Sequence, residues 1–214
     1  MDISLINLVP LLMAASTPIL LAGLGELIVE KSGVLNLGVE GMMILGAITG
    51  FMTAVATGSP TLGFLGGAAG GAALALIFAV LTQRLMSNQV ATGLALTLFG
   101  LGLSALLGQK FVGLKPPPTP RIAIPGLADL PVIGPMLFRH DLMVYLSLLA
   151  VLGVWAFLRH SRPGLILRAV GENHGAAHAL GYKVVRIRML AILFGGAMAG
   201  LGGAYLSLVR VPQW

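Results

Sequence analysis

The sequence contains no cysteine and few charged residues: aspartate, glutamate, lysine and arginine make up only 9% of its 214 residues. Without cysteine the chain has no disulfide and no thiolate nucleophile. Soluble domains average about 25% charged residues, so this chain falls outside that class. Bases outnumber acids by 13 to 7, but aromatic residues are scarce and do not alternate with the bases. Proteins that bind single-stranded nucleic acid use such aromatic residues to stack bases, so we expect no nucleic-acid partner.

Motifs of known enzymes are also missing. There is no His-Glu-x-x-His pair and no Gly-x-Ser-x-Gly elbow. Residues 25–32 fall one residue short of a phosphate-binding P-loop, because Glu30 stands where the second glycine is required. His174 and His178 are spaced like a pair of zinc ligands, but the sequence offers no third ligand nearby. We expect no catalytic residue, no metal and no cofactor.

The chain has long apolar runs instead. Hydrophobic residues make up 57% of it, and the mean hydropathy is +0.97. An apolar helix of about 20 residues spans a bilayer. Six runs approach that length: Leu5–Gly25, Val34–Ala56, Leu62–Leu81, Val90–Gly108, Leu142–Leu158 and Met189–Val209. We predict an all-α polytopic membrane protein with about six transmembrane helices, forming one transmembrane domain over residues 1–214.

Glycines recur at helical spacing in two of these runs. The third run has Gly63, Gly67 and Gly71, and the sixth has Gly196 and Gly200. Glycine at every fourth position gives a helix a smooth face, which lets a neighbouring backbone approach closely. We interpret both stripes as helix-packing surfaces.

Polar and glycine residues interrupt the apolar sequence between Gly23 and Gly41, which predicts a helix broken within the membrane. Irregular backbone at that depth occurs where it faces protein or a water-filled cavity. Asn36 lies in this stretch, and Glu40 lies a few residues into the second run. Two interpretations of Glu40 remain open: it faces a substrate pathway, or it caps a neighbouring half-helix.

Residues 159–188 form the one long polar segment and carry six of the bases against one acid, Glu172. Basic loops stay on the cytoplasmic side of a membrane. With this loop inside, eight of the 13 bases lie on the cytoplasmic side. Asn173 is placed to cap a short helix and Gly181 to end it, with Glu172 near the positive end of the helix dipole. We predict a helix of about two turns at the membrane surface.

The same basic segment allows a simpler interpretation, in which it only binds anionic lipid and fixes the orientation of the chain. A lipid-binding helix carries its charges on one face. The segment Gly175-Ala176-Ala177 has neither lysine nor arginine. A bare, small-sided helix favours docking into a groove of a partner protein.

The longest loop on the other side covers residues 110–141 and is rich in proline. Seven prolines between Pro116 and Pro135 preclude a regular helix across it and favour an extended course. Either this external loop receives a partner protein or it is a simple connector.

Three stretches carry a resemblance to a known family. These are 164–184 (GLILRAVGENHGAAHALGYKV), 195–205 (GGAMAGLGGAY) and 25–43 (GELIVEKSGVLNLGVEGMM). They resemble the permease subunits of ATP-binding-cassette (ABC) importers in the branched-chain amino acid and simple-sugar superfamily, and 25–43 resembles the nucleoside and simple-sugar branch. The resemblance implies a coupling helix at Gly171–Gly181 that sits in a cleft of a separate ATPase subunit.

For this chain, the resemblance implies that Gly171, Glu172, Asn173, Ala176, Ala177 and Gly181 form the contact with the ATPase. Asn36 and Glu40, in the interrupted stretch described above, are the candidate residues of the substrate pathway. The implied partners are an ABC ATPase subunit, a second permease subunit and an external substrate-binding lipoprotein, in the inner (plasma) membrane of a bacterium. Relatives often have proline at the position of His174 and continue for several spans beyond Trp214, so the chain resembles a C-terminally truncated copy.

We therefore expect a permease subunit of an ATP-driven importer, for nucleosides or related simple sugars. The ribose-type branch has an Asp-Leu-Ser-type sequence where this chain has Asn36-Leu37-Gly38, which argues against a ribose-type substrate. The alternatives are a permease for branched-chain amino acids and an ion-coupled secondary transporter. The second is characterised by inverted internal repeats, and none is evident in this sequence.

Overall fold

The fold is a bundle of six long helices, known from a computed structural model that describes residues 5–123, 134 and 138–214. The long helices are α1 (Leu5–Lys31), α2 (Val39–Thr57), α3 (Pro60–Gln83), α4 (Gln89–Gly108), α5 (Leu142–His160) and α8 (Val184–Tyr205). Two short helices join α5 to α8: α6 (Arg162–Glu172) and α7 (His174–Ala179). Each long helix is long and apolar enough to cross a membrane, which confirms the six predicted spans.

Several helix ends differ from the predicted spans. The α1 helix continues past Gly25 to Lys31, α2 begins at Val39 and α8 begins at Val184. The apolar pattern stopped short of the ends of α1 and α8 and included irregular residues before α2. Backbone hydrogen bonds extend a helix through polar residues as well, so α1 and α8 run beyond their apolar segments.

The α8 helix is the centre of the bundle and packs against α1, α2 and α3. Its contact with α3 places Gly71 against the backbone of Gly196 and Gly200, and Gly46 of α2 lies against Gly200 as well. On the other side of α8, Gly195 faces Gly25 of α1. These close approaches confirm that the glycine stripes are packing surfaces.

Residues 114–120, within the Pro-rich loop, are irregular and lead into a short strand, β1 (Arg121–Ala123). It pairs antiparallel with β2 (Arg139–Asp141), with Ile122 opposite His140. The sequence analysis predicted no strands, because a pairing of two three-residue segments across a long loop leaves no periodic signal. The predicted extended course of the loop falls largely on residues 124–133 and 135–137, which lie outside the described part of the chain.

Candidate functional site

The polar segment 159–188 lies at one end of the bundle, which we call the basic end. Its first half forms α6, whose start is fixed by Ser161: the Ser161 side-chain oxygen accepts a hydrogen bond of 3.0 Å from the backbone N–H of Gly164. One face of α6 is buried through Gly164, Leu167 and Val170. The sequence analysis missed this helix. Its signals were the Ser161 cap, the proline in the first turn and apolar residues three apart.

The second half forms α7, with both predicted ends. The Asn173 side chain accepts a hydrogen bond of 2.9 Å from the backbone N–H of Ala176. Gly181 has φ +88°, a left-handed conformation that glycine adopts without strain. The predicted cap and stop are confirmed. The predicted extent Gly171–Gly181 needs correction, because Gly171 and Glu172 are the last two residues of α6 and Asn173 separates the helices.

The two alanines predicted to contact a partner have different positions on α7. Ala176 is exposed, as are Gly175 and His178 beside it. Ala177 is only 3% exposed, so it seats α7 on the rest of the chain. The outward surface of α7 is therefore free of lysine and arginine: it presents Gly175 and Ala176 between His174 and His178, and Ala177 does not belong to it.

The Asn173 cap provides a direct test of how α7 is held. Replacing Asn173 by alanine is expected to destabilise α7 by about 1 kcal/mol, since it removes the acceptor for the free N–H of Ala176. Amide hydrogen exchange of residues 174–180 should then accelerate by about fivefold. Serine at position 173 supplies an alternative acceptor and should restore protection. Equal exchange in the alanine and serine variants would show that the cap does not hold α7.

The end of α6 contacts the end of α1 through two glycines. Gly171 packs on the carbonyl oxygen of Lys31 and on Gly33, so a side chain at position 171 would collide with backbone. Gly33 has φ +80° and turns the chain after α1. Arg188 of α8 fixes the same turn by donating a hydrogen bond of 3.1 Å from Nε to the carbonyl oxygen of Ser32. Sequence reasoning identified Gly171 without this contact, because it joins segments far apart in the chain.

Residues 32–38 continue from this turn back into the bundle as irregular backbone. The Asn36 backbone N–H donates to Glu26 Oε1 (3.2 Å), and its side-chain Nδ2 lies 3.4 Å from Glu26 Oε2. Glu26 precedes the end of α1 by five residues, which is about 7 Å of helix. Asn36 therefore lies beside the last turns of α1, in the connection between α1 and α2. The α1 helix is continuous through residues 23–31, so the predicted broken helix is a turn between two helices.

The side chain of Asn36 is occupied within this segment. Its Oδ1 accepts a hydrogen bond of 3.0 Å from the backbone N–H of Gly38, directly before α2. The residue is 2% exposed. In this conformation Asn36 holds the start of α2 and does not itself line an open passage.

Glu40 lies in the first turn of α2 and is exposed. The next residue, Gly41, packs against Leu96 and Thr97 of α4. Thr97 is eight residues into α4, about 12 Å along that helix. Glu40 is therefore an exposed carboxylate near α4, next to a residue that contacts α4 about 12 Å from the start of that helix.

The site offers little to a metal ion. Among the described residues, no three histidine, cysteine, aspartate or glutamate side chains lie close enough to share one. Residues 25–32, whose sequence is close to that of a P-loop, are helical up to Lys31, where α1 ends. Their N–H groups are used inside the helix and do not form a cradle for phosphate.

Three curated relatives align with most of this chain. The putative glucose ABC transporter permease protein of Haloferax volcanii is 47% identical over 204 residues, covering 94% of this chain and 62% of that protein. The guanosine ABC transporter permease protein of Bacillus subtilis is 32% identical over 219 residues, covering 95% and 68%. The nucleoside ABC transporter permease protein of Lactococcus lactis subsp. cremoris is 32% identical over 204 residues, covering 88% and 63%.

The chain thus spans 62% to 68% of the length of these relatives. No solved structure matches it. The family described as the permease component of branched-chain amino acid transport systems matches residues 9–213. With six helices able to cross a membrane and a family match over nearly its whole length, the chain belongs to this family of multi-pass permeases of the plasma membrane, the inner membrane in bacteria.

Proposed function

We propose that this chain is the permease subunit of an ATP-driven ABC importer and that α7 is the helix through which an ATPase subunit drives it. The observation that carries the proposal is the outward surface of α7, where Gly175 and Ala176 are exposed between the Asn173 cap and Gly181. A short helix that exposes Gly175 and Ala176 and carries no lysine or arginine fits a protein groove. Within the basic end it is the surface least suited to lipid headgroups.

Under this proposal, the energy that drives transport comes from a separate subunit. The chain's nearest approach to a P-loop is helical up to Lys31, and Glu30 occupies the place of the required glycine. ATP would therefore bind and be hydrolysed on the partner. The chain itself is a transport subunit and not an enzyme.

Motion of α7 has a short physical route into the membrane. It passes to α6, whose Gly171 rests on the Lys31 carbonyl and on Gly33. That turn continues into the segment that Asn36 ties to Glu26 and to the start of α2. A displacement of α7 would thus shift α2 and the Glu40 carboxylate that it carries.

We assign Glu40 and Asn36 to the substrate pathway, with different roles. A carboxylate exposed at membrane depth is costly if it faces lipid, which supports its facing a polar passage or a second permease subunit. Asn36 is buried, so its role is to position the first turn of α2. The substrate pathway would then run along the Glu40 face of α2, between two permease subunits.

The remaining partners follow from the proposed orientation. Basic residues are more numerous at the basic end, and basic loops stay in the cytoplasm. This supports placing the basic end in the cytoplasm, where an ATPase would meet α7. The Pro-rich loop would then face outward, toward an external substrate-binding lipoprotein. The relatives are named for glucose, guanosine and nucleosides, so nucleosides or simple sugars are the proposed substrates. Branched-chain amino acids are the second candidate, because the family description names them.

Uptake by cells with and without the gene for the intact transporter tests class and substrate together. Labelled guanosine, glucose and leucine are compared under ATP depletion and, separately, under collapse of the proton gradient. We expect deletion to abolish uptake of guanosine or glucose that depends on ATP and to leave leucine uptake unchanged. Loss of leucine uptake alone would favour the second candidate. Deletion-sensitive uptake that survives ATP depletion and fails with the gradient would overturn the ATP-driven mechanism.

A further inference from the structure

An apolar groove opens in the bundle near the basic end, between α5 and α8. Both helices pack against α1, and the floor of the groove is Ile28 of α1. Its roof is α6, through Pro163, Ile166 and Leu167. The groove encloses about 630 Å³ and none of its lining residues is charged. This volume is within the range of about 300–1,000 Å³ that is typical of ligand sites.

The length of the groove matches one leaflet of a bilayer. Its lining on α8 runs from Ile187, just below the basic end, to Met198. Eleven residues of helix correspond to about 16 Å. Half of a hydrocarbon core is about 15 Å thick. The groove is therefore about as long as one leaflet is thick, which suits a single acyl chain.

Exposed bases are next in sequence to lining residues at the mouth of the groove. Arg162 directly precedes the lining residue Pro163, Lys183 follows Tyr182 and Arg186 precedes Ile187. All three bases are exposed. Glu172 is the single acid between Asp141 and the last residue of the sequence. The mouth is therefore positively charged and suited to a phosphate group.

We propose that this groove is a specific site for an anionic phospholipid of the leaflet at the basic end. One acyl chain lies between α5 and α8, and the headgroup phosphate contacts Arg162, Lys183 and Arg186. The roof formed by α6 favours a lipid over another membrane helix, because a helix would have to continue through the position of Ile166 and Leu167. The inference does not depend on the proposed ATPase partner. The lipid site has one consequence for the proposed ATPase docking: the lipid would support α6 and so fix the position of α7 relative to the membrane.

Lipid retention by the purified protein measures this site directly. The protein is extracted, exchanged into mixed micelles with equal amounts of phosphatidylglycerol and phosphatidylcholine of the same acyl chains, and analysed by native mass spectrometry. We expect preferential retention of one phosphatidylglycerol. Lys183→Gln and Arg186→Gln should each reduce that retention by about fivefold. Arg84→Gln, an exposed base at the same end of the bundle but away from the groove, is the matched control and should retain the lipid.

Filling the groove separates a specific site from general attraction of anionic lipid to bases. Gly153 lines the groove and an added side chain would meet nothing within 4 Å, so Gly153→Phe should fold and displace the acyl chain. Gly102 of α4 is equally open and lies outside the groove, so Gly102→Phe is its control. Equal lipid retention by the two variants would overturn the proposal, as would equal binding of the two lipids.

A further helix of the intact transporter is the rival occupant. These 214 residues contain no cysteine, so Gly153→Cys places their one thiol in the groove, in an intact transporter whose other parts have been freed of cysteine. A photoactivated cross-linker on that thiol should react with lipid in the intact complex. Cross-links to another protein segment, with none to lipid, would assign the groove to protein and refute the lipid site.

Discussion

Replacing Ala176 by arginine is expected to abolish the association of this chain with the proposed ATPase subunit while leaving membrane insertion unchanged. Ala176 is exposed on α7 and makes no contribution to the buried side of the helix. In the docked complex it would be covered, and an arginine there would be a buried charge without a partner. Such a charge costs about 3–5 kcal/mol. That corresponds to a loss of affinity of at least a hundredfold, or about 3 kcal/mol.

Co-purification of the ATPase with tagged permease measures this effect. The matched control is Ala56→Arg, because Ala56 is an exposed alanine in the last turn of α2, at the end of the bundle opposite α7. The control should bring down the ATPase as the unmodified chain does. Undiminished ATPase with Ala176→Arg would show that α7 is not the docking surface, whatever the transported substrate proves to be.

The structure also shows which alanine should be replaced to test docking. The sequence analysis assigned both Ala176 and Ala177 to the contact with the ATPase, so changing the two together would be an obvious test. Ala177 is buried, so an arginine there would disturb the seating of α7 before any partner arrives. A loss of binding in the double variant would therefore have two causes. Ala176 alone tests docking.

Features that repeat along the chain were predictable. The six spans follow from the length of each apolar run, and the packing faces follow from glycines at every fourth residue. The ends of α7 follow from two residues with strong local preferences, Asn173 at the start and Gly181 at the stop. Each of these signals depends on a few neighbouring positions, so it can be read without knowing the fold.

Features that depend on distant segments were not predictable. The contact of Gly171 with Lys31 joins α6 to α1 across much of the sequence. The burial of Asn36 depends on Glu26 and on α4, which covers the start of α2. The sequence analysis still identified Gly171 and Asn36 as candidate site residues, because their residue types were conspicuous. Their roles as a packing contact and as a support for α2 required the three-dimensional arrangement.

A large loss of stability is expected from Gly71→Ala, a change of one methyl group. A Cβ at position 71 would lie 2.8 Å from both the N and the Cα of Gly200 and would overlap the carbonyl oxygen of Gly196. These are backbone atoms of α8, so no side-chain rotation can relieve the overlap. Separating α3 from α8 would also loosen α2, since Gly46 packs on Gly200. Overpacking of this kind costs about 1–3 kcal/mol and sometimes more.

Heating the purified protein and measuring the fraction that remains monodisperse tests this prediction. Gly71→Ala should lower the midpoint by several degrees and reduce the folded yield. Gly102→Ala places the same methyl group on α4 where nothing lies within 4 Å. Alanine is favoured over glycine inside a helix by about 0.5–1 kcal/mol, so this control should be as stable as the unmodified chain or slightly more stable. If both variants had the same midpoint, helix contact through Gly71 would not limit stability. The difference between them therefore isolates the close approach of α3 to α8 from the general effect of replacing glycine.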